Sequence, residues 1–184
     1  MAQRPRFQIA GSINHVTFRS VDEAHFFRND VERRLHLSLV GLVAVRYEWT
    51  ILGWCQMTTH GHLLIRTPKP NLSAGMQMLT SRYVRQVNEM LGRQGALVAK
   101  RFFSVDIDSQ LHLLETLRYL PLNAPRGGIC DLPEAWQWSS YAATIGLATA
   151  PPYLAVDEVL ELFGSDVATA RRRYEQFVLD GLRL

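Results

Sequence analysis

The chain of 184 residues is 47% hydrophobic and 20% charged, a balance typical of a globular protein with one well-buried core. No stretch approaches the roughly 18 to 20 apolar residues that a membrane span needs, and residues 1–6 lead into no apolar signal core. Cys55 and Cys130 are too few and too far apart for a disulfide framework or a zinc motif. These features predict a cytoplasmic protein with reduced thiols and no membrane partner.

The charge distribution points to nucleic acid as a partner. The net charge is +3, and segment 66–101 contains seven Lys and Arg residues against Glu89 alone. Guanidinium groups suit bidentate phosphate contacts, and a local excess of cations is how a phosphate-binding surface appears in a sequence. The predicted nucleic-acid-binding residues are Arg66, Lys69, Arg82, Arg85, Lys100 and Arg101.

The pattern of apolar residues predicts the order strand, helix, strand, strand, helix, strand. The predicted strands are 13–19, with Val16 and Phe18 inward, then 47–57, 60–67 and 101–107. The first helical stretch opens at Asp22-Glu23 and has its main cap at Asn29 or Asp30, whereas Ser73 is the expected cap of the second helix. Asp108 or Ser109 caps a further helix after the fourth strand.

This order predicts an α+β fold of the ferredoxin-like, split βαβ type, in which two helices cover one face of an antiparallel sheet. The extra helix follows the fourth strand, and two more helices are expected at 156–163 and 167–179. We therefore divide the chain into a principal domain, 1–128, and a C-terminal helical extension, 129–184.

His60 and His62 form the most informative short pattern. Residues i and i+2 of a strand point to the same face, so the two imidazoles would lie side by side, and neutral imidazole suits a divalent ion. The alternative is that one ring is solvated and the other is hydrogen-bonded under a loop. Without further context the pattern does not separate these two possibilities.

Tyr119 and Asn123 are four residues apart in the helix after the fourth strand. This spacing places a phenol and an amide one turn apart on one helix face, so a nucleophile and a metal ligand could share a site. Alternatively, Tyr119 is a core aromatic with its hydroxyl at the surface, and Asn123 is a helix C-cap.

Five segments, in this order and spacing, resemble the REP-associated tyrosine transposases, a family of single-tyrosine HUH transposases. The segments are NHVTFR at 14–19, MTTHGHLL at 57–64, SRYVRQVN at 81–88, RYLPLN at 118–123 and WSSY at 138–141. The resemblance implies a ferredoxin-like nuclease domain in which His60, His62 and Asn123 hold Mg²⁺ or Mn²⁺. It also implies that Tyr119 is the catalytic nucleophile.

The resemblance further implies a reaction and a substrate. Members of this family cleave and rejoin single-stranded DNA near hairpins through a 5′-phosphotyrosine intermediate. Two alternatives stay open: a catalytically degenerate protein that binds hairpin DNA or RNA without cleaving it, and an unrelated ferredoxin-like domain with structural histidines. Relatives include monomers and homodimers, and an exposed sheet edge could pair with another copy.

The sequence departs from the family pattern at several positions. Thr58-Thr59 replaces the usual Pro-Asn, and Gly61 stands where the family has a bulky apolar residue, which is expected to loosen the strand. The usual Asn-Pro-Val after the tyrosine is Asn123-Ala124-Pro125 here. Pro121 lies between Tyr119 and Asn123, where a proline removes a backbone hydrogen bond and can bend the helix.

Overall fold

The computed structural model describes residues 9–21, 25–98 and 101–182. Its strands are β1 (Ile13–Arg19), β2 (Thr50–Gln56), β3 (His60–Arg66) and β4 (Phe103–Ile107). Its helices are α1 (Asp30–Tyr47), α2 (Leu72–Met90), α3 (Gln110–Arg126), α4 (Tyr141–Thr144), α5 (Val156–Glu161) and α6 (Val167–Asp180). A 3₁₀ turn covers Pro133–Ala135. None of the described helices is both long enough and apolar enough to cross a membrane.

The four strands form one antiparallel sheet in the order β2-β3-β1-β4. This order, with β1 and β3 in the centre, is the one that a split βαβ chain produces. The predicted α+β, ferredoxin-like fold is therefore confirmed. The hairpin between β2 and β3 is the expected one, because its two strands pair directly.

Alternation along the two central strands divides the core between the two faces of the sheet. Val16 and Phe18 of β1 and Leu63 of β3 are buried with residues of α1 and α2, as predicted. The other face is covered as well: Leu64 packs with residues of α3, such as Leu117, and with the C-terminal helices α4, α5 and α6. Helices α4, α5 and α6 thus contribute to the core on the second face of the sheet.

The helix boundaries show which capping residues the chain uses. The side chain of Asn29 accepts a hydrogen bond from the amide of Glu32, and that of Ser109 accepts one from His112, so both predicted caps are present. The prediction for Ser73 is wrong, because α2 follows Asn71 and already includes Ser73. Asp22 and Glu23 lie outside the described residues.

The predicted start of the second strand at residue 47 is also wrong. Tyr47 is the last residue of α1, and Glu48 adopts a left-handed conformation with φ of 58°. This conformation ends the helix and turns the chain into β2, which begins only at Thr50.

His36 of α1 is a buried polar residue within the aromatic core beneath the sheet. Its Nδ1 lies 3.1 Å from Nε2 of Gln56, and its ring contacts Phe18 and Tyr83. Burial lowers the pKa of His36 from 6.5 to about 3. The folded protein therefore keeps this ring neutral at pH values where the unfolded chain takes up a proton.

We expect His36→Phe to reduce the amount by which the free energy of unfolding falls when the pH is lowered below neutral. A lowered folded-state pKa contributes stability that is present above pH 6.5 and is lost as the pH falls toward 3. For one such group the loss between neutral pH and about pH 5 is about 2 kcal/mol. Denaturant unfolding at both pH values should show a smaller loss for His36→Phe than for the parent protein. Substitution of the exposed His25 by Ala is the control. A loss of stability in His36→Phe as large as that of the parent protein would show that His36 does not cause this pH dependence.

Candidate active site at the face of the sheet covered by the third helix

His60 and His62 lie on the same face of β3, and their rings meet edge to face with centroids 5.1 Å apart. The strand register places Arg19 opposite His60 and Thr17 opposite His62. Directly opposed residues of an antiparallel pair project to the same face. This face is the one that α3 covers.

His62 is almost fully buried and has an unusual set of neighbours. Its Nδ1 lies 3.0 Å from Nε2 of His15 and 3.2 Å from the hydroxyl of Thr17. Its Nε2 is buried without a hydrogen-bond partner among the described residues. Burial, followed by the charges of His15, His60 and Arg19, lowers the pKa of His62 to about 3. The ring is therefore neutral at physiological pH and keeps a lone pair for an electrophile.

His60 is half-buried at the start of β3. Its Nδ1 lies 3.2 Å from the hydroxyl of Thr59, so Nε2 is the nitrogen that remains for another ligand. Burial, and then the charge of Arg19, lowers the pKa of His60. Both predicted histidines thus favour the neutral form that binds metal ions.

Gly61 does not loosen the strand in the way its residue type suggests. It pairs with Phe18 across β1 and β3, and a Cβ at Gly61 would collide with the Phe18 ring. The ring occupies the space that a bulky side chain at position 61 would fill in the core beneath α1 and α2. The strand remains regular through His60, Gly61 and His62 because the neighbouring strand supplies the missing apolar volume.

Tyr119 projects from α3 toward these histidines. Its ring centroid lies 5.4 Å from that of His62 and 5.7 Å from that of His15, both in edge-to-face geometry. The side chain is 39% exposed, whereas Tyr83 and Tyr141 are buried. Tyr119 therefore combines contact with the histidines and access to solvent.

An open pocket of about 390 Å³ lies beside the Tyr119 ring. Two cations line it: Arg118, which forms an ion pair with Glu115 at 2.6 Å, and Arg126, which donates to the carbonyl of Gly181 at 2.9 Å. Glu115 itself, His15 and Thr116 complete the lining, so the pocket contains one carboxylate beside its two guanidinium groups. A pocket that places a phenol and two guanidinium groups together has the composition to receive a phosphodiester.

Pro121 lies inside α3 without ending the helix, which runs to Arg126. A proline has no N–H, so the carbonyl of Leu117 loses its usual donor. The buried hydroxyl of Tyr174, on α6, donates to this carbonyl at 3.0 Å. The C-terminal segment thus compensates for the proline that separates Tyr119 from Asn123.

Tyr174→Phe should lower the free energy of unfolding by about 1–3 kcal/mol, the usual penalty for a buried group left without a partner. The same change in a Pro121→Ala background should cost less, because residue 121 then has an N–H that can donate to the carbonyl of Leu117. Equilibrium unfolding of the two single variants and the double variant measures this coupling. If the losses of unfolding free energy in the two single variants add up to that of the double variant, the Tyr174 hydroxyl does not compensate for the N–H that Pro121 lacks.

Asn123 lies one turn after Tyr119 and is half-buried. Its Nδ2 donates to the carbonyls of Tyr119 and Leu120, at 2.7 and 3.2 Å. The helix runs to Arg126 and its C-cap is Gly127, so Asn123 is not the C-cap. Because Nδ2 of Asn123 is hydrogen-bonded within its own helix, the amide oxygen is the atom that could bind a metal ion.

The donor set fits a divalent ion in chemistry. His62 has a buried nitrogen without a partner, and His60 and Asn123 would add one nitrogen and one oxygen. Imidazole and amide oxygen are accepted by Mn²⁺, and Mg²⁺ favours oxygen. Among the described residues, no three His, Cys, Asp or Glu side chains form a group that could hold a metal ion. A divalent ion at this site would therefore need a third ligand of another type, such as an amide.

The structure does not bring the predicted basic residues together with Tyr119. Arg82 and Arg85 are exposed on α2, which covers the opposite face, and Arg85 lies 3.7 Å from Glu89. Arg101 lines a groove beside α2. Arg66, at the far end of β3 from His60, forms an ion pair with Glu158, and Lys69 forms one with Glu48. Lys100 lies outside the described residues.

Sequence reasoning did not select His15, Arg118 or Arg126 as site residues. His15 occurs in the first segment that resembles the transposases, and it alternates with Val16 and Phe18, which face the other side. That alternation was the available signal, since it puts His15 on the face opposite the first apolar core. The two arginines gave no separate signal, because their position depends on how α3 lies over the sheet.

Comparison with two solved structures gives one similar fold with a TM-score above 0.5. A REP-associated tyrosine transposase bound to a REP hairpin is similar with a TM-score of 0.68 and 14% identity, covering 84% of this chain and 92% of that one. At this identity the likeness shows the fold alone. The tRNA(His) guanylyltransferase of Saccharomyces cerevisiae aligns with a TM-score of 0.48 and 10% identity, over 92% of this chain and 79% of that one, which is too low to support an argument.

Sequence comparison identifies the family. No curated protein matches the chain by sequence. The family model described as transposase, IS200 like, matches residues 9–121. This range includes β1 with His15, both histidines of β3 and Tyr119, and it ends two residues before Asn123. The chain belongs to the IS200-like transposase family.

Proposed function

We propose that this transposase is a metal-dependent single-strand DNA endonuclease that cleaves and rejoins DNA near REP-like hairpins. The observation that supports this most directly is Tyr119, an exposed phenol in ring contact with His62 beside a pocket lined by Arg118 and Arg126. The similar structure with a bound REP hairpin supports the choice of substrate.

Tyr119 acts as the nucleophile in this proposal. Its phenolic oxygen forms a bond to the scissile phosphorus while the bond from phosphorus to the 3′-oxygen breaks. The 3′-oxygen leaves as a hydroxyl with the proton given up by the phenol, and the 5′-phosphate stays linked to Tyr119. A second 3′-hydroxyl reverses the step and joins a new strand, so no external energy source is needed.

The remaining site residues bind and orient the phosphodiester. His60, His62 and the amide oxygen of Asn123 would hold Mg²⁺ or Mn²⁺, which when bound offsets negative charge on the scissile phosphate. Arg118 and Arg126 line the same pocket as Tyr119 and bind the flanking phosphates. His62 is kept neutral by its burial and stays available as a ligand.

The exposed cations of α2 extend the binding surface to the opposite face of the sheet. We expect Arg82→Ala and Arg85→Ala each to weaken hairpin binding with little dependence on sequence. Each should also reduce the slope of log affinity against log salt by about one, because one phosphate contact fewer releases fewer counterions. Fluorescence anisotropy across a salt series measures both effects. Identical slopes for the variants and the parent protein would exclude these residues from the interface.

A covalent adduct assay tests the proposed reaction. The protein is incubated with a labelled single-stranded hairpin oligonucleotide and Mn²⁺, then denatured and resolved by electrophoresis. We expect a labelled protein band that is absent when EDTA is added. Hairpin binding without an adduct would identify a catalytically degenerate binder of hairpin DNA or RNA. Neither binding nor adduct would leave only a ferredoxin-like domain with structural histidines.

A further inference from the structure

His15 is the residue of β1 that touches both central parts of the proposed site. Its Nε2 lies 3.0 Å from Nδ1 of His62, and the centroids of these two rings are 5.1 Å apart. Its ring also meets that of Tyr119 edge to face. The rings of His15, His62 and Tyr119 are thus in mutual contact. His15 can therefore influence the position of both His62, the proposed ligand, and Tyr119, the proposed nucleophile.

The hydrogen bond between the two histidines allows two arrangements of protons. If Nε2 of His15 donates, His62 has its own proton on Nε2, where the described residues offer no acceptor. If Nδ1 of His62 donates, His15 and Thr17 both present acceptors to it, and the buried Nε2 of His62 keeps its lone pair. Only the second arrangement leaves a nitrogen that can bind a metal ion, since ligation requires a lone pair.

The contacts of His15 separate it from the ligands themselves. Its Nε2 is directed to His62, and His15 does not combine with His60 and His62 into a group that could hold a metal ion among the described residues. Histidine ligands commonly donate their second N–H to a neighbouring acceptor, which fixes the tautomer and the ring orientation. Nε2 of His15 occupies the position of that acceptor next to Nδ1 of His62.

We propose that His15 is a positioning residue that accepts a hydrogen bond from Nδ1–H of His62 and so directs the Nε2 lone pair of His62 toward a divalent ion. The inference rests on the proposed function, because it takes His62 as a metal ligand. Through its edge contact with Tyr119, the same ring keeps the phenol next to that ligand.

Two amide substitutions differing by one methylene test this role. The amide oxygen of His15→Gln lies as many bonds from Cα as Nε2 of histidine, so it can accept the same hydrogen bond. That of His15→Asn is one bond shorter and cannot reach. Titration with Mn²⁺, followed by electron paramagnetic resonance, should show affinity close to that of the parent protein for His15→Gln and roughly 10- to 100-fold weaker affinity for His15→Asn.

The tautomer of His62 gives a readout independent of catalysis. In long-range ¹H–¹⁵N spectra of the metal-free protein, His62 should carry its proton on Nδ1 in the parent and in His15→Gln, and shift toward Nε2 in His15→Asn. Thermal unfolding of both variants checks that each is folded, and His25→Ala serves as an exposed control. The inference would be overturned if His15→Gln and His15→Asn bound Mn²⁺ with equal affinity. It would also be overturned if His62 carried its proton on Nε2 in the parent protein. Parent protein that binds Mn²⁺ but forms no DNA adduct would instead refute the proposed function.

Discussion

Tyr119→Phe is expected to abolish the covalent DNA adduct while leaving the fold and the affinity for hairpin DNA unchanged. The substitution removes one hydroxyl from a side chain that is 39% exposed, and it keeps the ring that contacts His62 and His15. No bond to phosphorus can form without that oxygen, so the loss should reach the detection limit. The adduct assay and anisotropy binding, run in parallel, separate the loss of chemistry from a loss of binding.

Tyr83→Phe is the matched control, since Tyr83 lies on the basic helix α2. Its ring is buried and its hydroxyl donates to the carbonyl of Phe26 at 2.9 Å. Burial raises the pKa of Tyr83, which makes it a poor nucleophile. The substitution should cost about 1–3 kcal/mol of stability, because the carbonyl of Phe26 loses this donor, and should leave the adduct intact. An adduct that survives Tyr119→Phe but disappears in Tyr83→Phe would reverse the assignment.

His62→Ala is expected to give the second largest effect. It removes the buried nitrogen that lacks a partner, and with it one of the two imidazoles proposed as ligands. Loss of a group that stabilises developing charge on the reacting centre typically costs about 10²- to 10³-fold in rate. We therefore expect adduct formation to slow by at least about 100-fold, and calorimetric titration to show weaker Mn²⁺ binding.

His60→Ala tests the metal site with less risk of misfolding, because His60 is only half-buried and its removal leaves a smaller void than that of His62. It should impair Mn²⁺ binding and adduct formation in the same direction. The exposed His25→Ala should alter neither quantity. Normal Mn²⁺ affinity in both His60→Ala and His62→Ala would mean that the two histidines are structural.

Local patterns sufficed to predict most of the fold. The alternation around Val16 and Phe18 and the apolar runs on either side of Thr58-Thr59 identify the central strands, because side chains of a strand alternate between faces. The start of β2 is not predictable from local pattern, since the left-handed conformation of Glu48 has no signature of the kind that a glycine provides. The helices that cover the second face cannot be assigned from local pattern either, because their position depends on long-range packing.

The site shows the same division between local and long-range information. The i, i+2 spacing of His60 and His62 fixes their common face, and the helical spacing of Tyr119 and Asn123 fixes theirs. How α3 lies on the sheet determines that Tyr119 meets His62 and His15, and no spacing within one element encodes this. Charge density along 66–101 likewise could not show that α2 faces away from the tyrosine.

The most direct test of the proposed site is to identify the amino acid that becomes linked to DNA. The adduct formed by the parent protein with hairpin DNA and Mn²⁺ is digested with protease and nuclease, and the peptide that retains a nucleotide is sequenced by mass spectrometry. We predict a 5′-phosphate linkage to Tyr119, in a peptide from α3. A nucleotide linked to Tyr83 or any other residue would contradict the assignment of the active site to this face of the sheet.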